Sequence, residues 1–369
     1  MEGRILRRSS DAAISGFDSI PDLSALGGPR FVVTVDTEEE FDWSAPFSRT
    51  NHGTTHIAAI PRFQRLCDEF SVQPCYLIDY PITQDAAAVN LLAGYASNNS
   101  AEIGVQLHPW VNPPFEETVN TGNSFACNLP PDLEREKLTV LHNSIVSHMG
   151  VRPDVYRAGR YGVGPNTSSI LADLGVSIDS SVRARFDYSG QGGPNYAEHP
   201  VNPYWIIEDR VLELPLTTVF AGLFRGIGNT VFARVFGSDG ARAMLARTAM
   251  LERIALTPEG IPLHKAIEGI DLALKEGIKI INLSFHSPSL AVGHTPYVRT
   301  AEQLAEFYLW WNGVFKHLAD KDVRPTTMVE IKQASRNQAA LSGDCEFPLA
   351  SVAIAPLSAR GERESGRGL

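Results

Sequence analysis

Glu102-Ile-Gly-Val-Gln-Leu-His108-Pro-Trp110 is the stretch that decides the fold. A strand-like apolar approach runs into a histidine, and Pro-Trp stops it at once. Proline cannot donate to a strand ladder, so the imidazole is left at a strand mouth. Three other segments have the same design: Val35-Asp36-Thr37-Glu38-Glu39-Glu40, Tyr156-Arg157-Ala158-Gly159-Arg160-Tyr161-Gly162 and Leu283-Ser284-Phe285-His286-Ser287-Pro288. Each begins as a short strand and ends in polar, reactive side chains. When strands run parallel, such endings share one rim and collect into one site.

The chain between these stations alternates strand and helix. Residues 31–36 form a continuous apolar run, the mark of a strand buried on both faces. Residues 57–70 follow as a helix with Ile60, Phe63, Leu66, Cys67 and Phe70 on one stripe. Strands are expected at 75–78, 102–107, 155–156, 176–179, 211–216 and 278–285, the last being the strongest, and a final one near 328–331. Helices are expected at 82–95, from a cap at Asp132 to a stop at Gly150, and at 168–174, 265–276 and 301–318. Residues 217–260 read as helical, while 110–130 and 186–205 read as long loops. Seven or eight β/α units at this spacing imply a parallel sheet with right-handed crossovers. No glycine-rich phosphate loop follows the first strand, so the expected α/β fold is an irregular closed (β/α) barrel rather than a dinucleotide-binding sheet. The division expected is an N-terminal arm at 1–28, a barrel at 29–340 and a flexible tail at 341–369.

With 369 residues, 43% hydrophobic and 20% charged, the chain has the composition of an ordinary globular protein. A net charge of −10 speaks against nucleic acid as the main partner, which needs clustered Lys and Arg. No run approaches the ~18 apolar residues of a membrane span. Cys67, Cys75, Cys127 and Cys345 form no CxxC pair, so no cysteine-built zinc site is expected. These features, with no apolar run behind the charged N-terminus, place the expectation in the cytoplasm.

Asp36 follows directly on a buried strand. A carboxylate there is a cation ligand or a positioned base, unless the acidic run is simply a solvated turn. Side chains alternate along an extended chain, which puts Asp36 and Glu38 on the same side. His108 reads as a metal ligand or a catalytic group, against the alternative of a structural histidine. Arg157 is expected to pair with a site carboxylate, and Ala158-Gly159 to let backbone approach a ligand. His286 reads as a general acid. Asp179, also at a strand end, either orients a histidine or caps a turn. His52 and His56 read as loop residues.

These stations in this order resemble the polysaccharide deacetylase (NodB-homology, carbohydrate esterase) superfamily over roughly residues 30–335, and most closely a divergent branch with a D-x-E and an H-P-W motif. The resemblance implies a distorted (β/α) barrel with about seven strands. It implies Asp36 as base, Arg157 as its support and His286 as acid. It also implies a divalent metal, zinc by expectation, held by Glu38 and His108, with Gln106 where the family places another histidine. The first motif lacks the adjacent Asp-Asp pair of better-known members.

The expected function is hydrolysis of an N-acetyl or O-acetyl group on a sugar, with an acetylated saccharide as partner. In that reading Trp110, Arg160 and Tyr161 contact substrate. Two alternatives stand beside it. One is a non-catalytic carbohydrate-binding barrel that has lost its metal. The other is a glycosidase using paired carboxylates such as Asp36 and Glu213.

Overall fold

The computed structural model describes residues 19–228 and 250–336, so most of the expected arm, the expected tail and Cys345 lie outside the described residues. Strands among them are β1 (Arg30–Thr37), β2 (Cys75–Ile78), β3 (Glu102–Leu107), β4 (Val155–Ala158), β5 (Ile178–Asp179), β6 (Tyr204–Ile207), β7 (Val211–Glu213), β8 (Thr218–Ala221), β9 (Glu252–Ala255), β10 (Ile280–His286) and β11 (Arg324–Pro325). Helices are α1 (Ile60–Glu69), α2 (Tyr80–Gln84), α3 (Ala86–Ser97), α4 (Pro131–Met149), α5 (Thr167–Leu174), α6 (Leu263–Lys275), α7 (Ala301–Asp320) and α8 (Met328–Arg336).

The main sheet runs β10-β1-β2-β3-β4-β5-β7-β6, with β11 also on β1. Every pairing from β10 to β7 is parallel, and only β6 joins antiparallel. This is a distorted (β/α) barrel. Among the described residues no regular ladder closes its curl. Instead Thr217 N donates to Asn282 O (3.3 Å), Asn282 N to Thr217 Oγ1 (2.9 Å) and Ser284 N to Leu256 O (3.3 Å), stitching the chain beyond β7 and β9 to β10.

Apolar runs set the strands, and the core lies between them and the helices. β1 is buried from Phe31 to its end. Trp311 on α7 is fully buried among the rings of Phe63, Phe285, Phe307 and Phe315, at centroid distances of 5.3 to 6.5 Å.

Four local expectations change. The helix expected at 82–95 is split by Asp85, which is extended (φ −92°, ψ 110°) and accepts from Ala87 N and Ala88 N at 2.8 and 3.1 Å to start α3. α4 begins at Pro131 behind Pro130, so Asp132 is a first-turn acid rather than the cap. The described parts of 217–260 hold an antiparallel hairpin of β8 and β9, not a helix, and 229–249 lie outside the described residues. The last strand falls at Arg324–Pro325, while Met328–Ile331 opens α8, because Glu102 accepts from Met328 N and Val329 N (2.8 and 3.0 Å) and so caps a helix start.

Candidate active site

Register places the chemistry. Asp36 and His286 are direct partners across β1 and β10, and Gln106 and Arg157 across β3 and β4. Residues from four strand ends therefore meet on one rim, as the parallel arrangement requires.

Arg157 is fully buried, and all three of its guanidinium nitrogens donate. Nη1 donates to Asp36 Oδ1, Nη2 to Thr34 Oγ1 (2.9 Å) and Ser180 Oγ (3.0 Å), and Nε to Ser180 O (2.8 Å). The guanidinium fixes one carboxylate oxygen of Asp36. The other, Oδ2, lies 3.7 Å from His286 Nε2.

His286 is held from behind by a residue absent from the expectations. Glu259, just beyond β9, faces His286 Nδ1 at 2.7 Å, and accepts from its backbone N (3.1 Å) and from Ser289 Oγ (2.6 Å). Burial works to lower the imidazole's pKa. The carboxylates of Glu259, Glu38 and Asp36 outweigh it and hold the ring up at about 10, so it carries its proton at neutral pH. Asp179 plays no part in orienting either histidine. Its Oδ1 accepts from Ser181 N (3.0 Å) and Ser181 Oγ, on the far side of Arg157's strand.

His108 sits between two acids. Nδ1 faces Glu39 Oε2 at 2.7 Å, and Nε2 lies 3.4 Å from Glu38 Oε2. Glu39 also accepts from Trp110 Nε1 (2.8 Å), while its backbone N donates to Asp79 Oδ2 (2.7 Å). Burial pushes Glu39 up to about 7. It pushes Asp79 well above the carboxylate range too, and there the neighbouring Glu39 adds to the rise. Burial, offset in part by His286 and His108, pushes Glu38 up to about 8. The room expected beside Ala158 and Gly159 is taken by protein: a Cβ at Gly159 would lie 2.3 Å from His108 Cδ2 and 2.5 Å from Leu107 O. The imidazole packs against a backbone position with no room for a Cβ.

Glu39, Asp79 and His108 together could hold a cation. Their facing atoms are already committed to one another, to Trp110 and to Ile82 N (3.1 Å from Asp79 Oδ1). A second set of donors lines the cavity: His108 Nε2 and Gln106 Nε2 each lie 3.4 Å from Glu38 Oε2, while Glu38 Oε1 and Gln106 Oε1 are buried and without a hydrogen-bond partner. Glu39 then stands behind His108 as the carboxylate that orients a ligating imidazole.

These groups open on a cavity of about 470 Å³ that Asp36, Glu38, Gln106, His108 and His286 line together. Arg160 and Tyr161 also line it, in adjacent left-handed conformations (φ 54° and 61°). Trp110 reaches its wall but is only 2% exposed, with its ring stacked on His108 (4.4 Å). The exposed aromatics among the residues lining it are Trp43 (37%) and Tyr297 (38%), 5.8 Å apart, with Trp43 edge-on to His286 at 5.1 Å. Both escaped the sequence reading. Phe41-Asp-Trp43 just past the acidic run was the available signal. Glu213 is fully buried and donates no wall to the cavity; it accepts from Val182 N (2.9 Å). His56 is a structural link between Glu40 (3.0 Å) and Ser287 Oγ (2.7 Å).

No family model matches the sequence, and a search of curated proteins finds no match. Solved structures do match. A candidate polysaccharide deacetylase from Mycobacterium smegmatis is 18% identical over 85% of this chain and 92% of its own, with a TM-score of 0.49. The allantoinase PuuE is 15% identical over 87% of this chain and 95% of its own, also at 0.49. A family 4 carbohydrate esterase from Streptomyces lividans, in complex with acetate, is 9% identical over 82% and 94%, at 0.39.

Proposed function

We propose that this protein is a hydrolase that removes an acetyl group, N-linked or O-linked, from a sugar. The observation that carries the reading is the pairing of Asp36 with His286 across β1 and β10, in a cavity that Glu38, Gln106 and His108 also line. Asp36 presents Oδ2 to the cavity while Arg157 fixes Oδ1, so one oxygen is positioned to take the proton of an attacking water. His286 starts protonated, and Glu259 sets the direction of its ring, so Nε2 can deliver a proton to the departing nitrogen or oxygen.

A divalent ion, zinc by the character of a histidine-carboxylate site, would be held by His108, Glu38 and Gln106. When bound it supplies Lewis-acid polarisation of the acyl carbonyl and a lowered pKa for water. Gln106 is a weaker donor than imidazole, so the expected affinity is modest. The sugar would rest against Trp43 and Tyr297, with Trp110 serving as the wall behind His108.

Acetate release from acetylated oligosaccharides by the metal-supplemented protein tests the proposal. Asp36→Asn and His286→Ala should each lower kcat by 100-fold or more, given the usual ~10²–10⁴ of acid-base catalysis, with folding unchanged by circular dichroism. Near-wild-type turnover in either variant would remove the roles assigned. Release of reducing ends instead of acetate would point to glycosidic cleavage.

A further inference from the structure

The cavity is not acidic throughout. Arg160 and Arg183 line it as well, and among the described residues no carboxylate lies within ion-pair distance of either guanidinium. Arg160 donates to Thr121 O (3.2 Å), to Ser124 Oγ and to Gln191 Oε1, all neutral acceptors, and its guanidinium lies 3.9 Å from the Phe125 ring centroid. Arg183 has the Tyr188 hydroxyl at 3.3 Å and the rings of Phe186 and Tyr161 at 4.1 and 5.3 Å.

Aromatic faces and neutral oxygens position a guanidinium without neutralising it. In a chain of net charge −10, with 42 acidic residues available, two half-buried arginines facing a cavity without counter-ions are costly unless something else supplies the charge. The local backbone is costly too. Arg160 and Tyr161 both stand in the left-handed region, a strain that a positioned guanidinium would explain.

We propose that the saccharide this cavity takes is anionic, with Arg160 and Arg183 receiving a carboxylate or phosphate group on the sugar chain beside the reacting unit. The inference rests on the reading of the cavity as a saccharide site and names its substrate class. A planar guanidinium fork matches both anions, often with two parallel hydrogen bonds. The neutral aromatics Trp43 and Tyr297 would contact the sugar face, and the arginines would select the charge.

The test is calorimetric binding to the full-length protein of three probes: N-acetylglucosamine, its 1-phosphate, and a disaccharide of glucuronate and N-acetylglucosamine. At low salt one or both anionic probes should bind at least tenfold more tightly than the neutral sugar. The advantage should shrink as salt rises. Whichever anion binds better identifies its source. Arg183→Met with Arg160→Met should collapse the preference, while Arg183→Lys, which keeps the charge, should retain part of it. Equal affinity for all three probes, no binding of any, or a preference that survives loss of both arginines overturns the proposal. Acetate release measured on the same probes reports separately on the hydrolase reading. Preference without release leaves the anion site standing and removes the hydrolase. Release without preference does the reverse.

Discussion

Glu259→Gln isolates the charge that prepares His286. The substitution keeps shape and leaves a carbonyl oxygen for the His286 backbone N and Ser289 Oγ, so the loop should hold. What it removes is the negative charge 2.7 Å from Nδ1, the strongest influence raising a ring that burial would otherwise lower. A hydrogen bond to a charged partner is worth ~1.5–3 kcal/mol. At 1.36 kcal/mol per pH unit, that corresponds to a fall of roughly 1–2 pH units. The imidazole should therefore titrate near 8 to 9 rather than at about 10. Nitrogen-detected NMR of the ring reads this directly, and the alkaline limb of kcat/KM should move down with it. If the ring titrates unchanged in Glu259→Gln, then Glu38 and Asp36 alone hold the proton and the role given to Glu259 is wrong.

Gly159→Ala would put a methyl group 2.3 Å from His108 Cδ2, and such overpacking costs ~1–3 kcal/mol. Both melting temperature and cation affinity should fall, and an unchanged melting temperature would contradict the packing described. His286 is raised from the usual 6.5, and Glu38 and Glu39 from 4.5, so folding takes up protons at all three. His286's contribution is complete below 6.5 and lost as pH climbs toward 10. The raised carboxyls lose theirs between 4.5 and about 8. In chelator-treated protein the denaturant midpoint should therefore fall as pH rises, by ~1.4 kcal/mol per pH unit for each proton taken up; a midpoint that rises across that span refutes the signs. Asp79→Asn should preserve cation binding, because the amide mimics a protonated acid. Glu39→Gln should weaken it, and the reverse ranking would place the proton on the wrong residue.

Much of the cavity's lining could be read in the sequence because strand ends carry a plain signal: an apolar run that breaks into reactive side chains. Asp36, Glu38, Gln106, His108, Arg157, Arg160, Tyr161 and His286 all line or adjoin one cavity. Glu259 obeys the same rule, since Thr257-Pro-Glu259 follows one residue beyond β9. It was missed because 217–260 lacks a period of 2, and an antiparallel hairpin packed onto a barrel seam need not show one. Asp179 met the rule and still fails as an orienting group. Strand position fixes which rim a side chain reaches, not which neighbour it meets there, and three strands separate β5 from β1 in the sheet.

Adjacent acids with different roles follow from a two-residue period. Asp36 and Glu38 turn toward the cavity, while Glu39 turns away and meets His108 from behind. That assignment works only if Glu39 is the charged member of its pair with Asp79. Both are fully buried, and two ionised carboxylates so placed repel one another in a poorly screened interior. The Trp110 indole donates to Glu39 and favours its charged form, while the His108 ring faces its other oxygen at 2.7 Å. Asp79 is raised further by Glu39 itself, so it is the one that keeps the proton. An ionised Glu39 would favour a donor at His108 Nδ1, 2.7 Å away, which on the proposed reading turns Nε2 toward the cavity. On the proposed reading, a proton on Asp79 is what lets Glu39 stay charged behind His108.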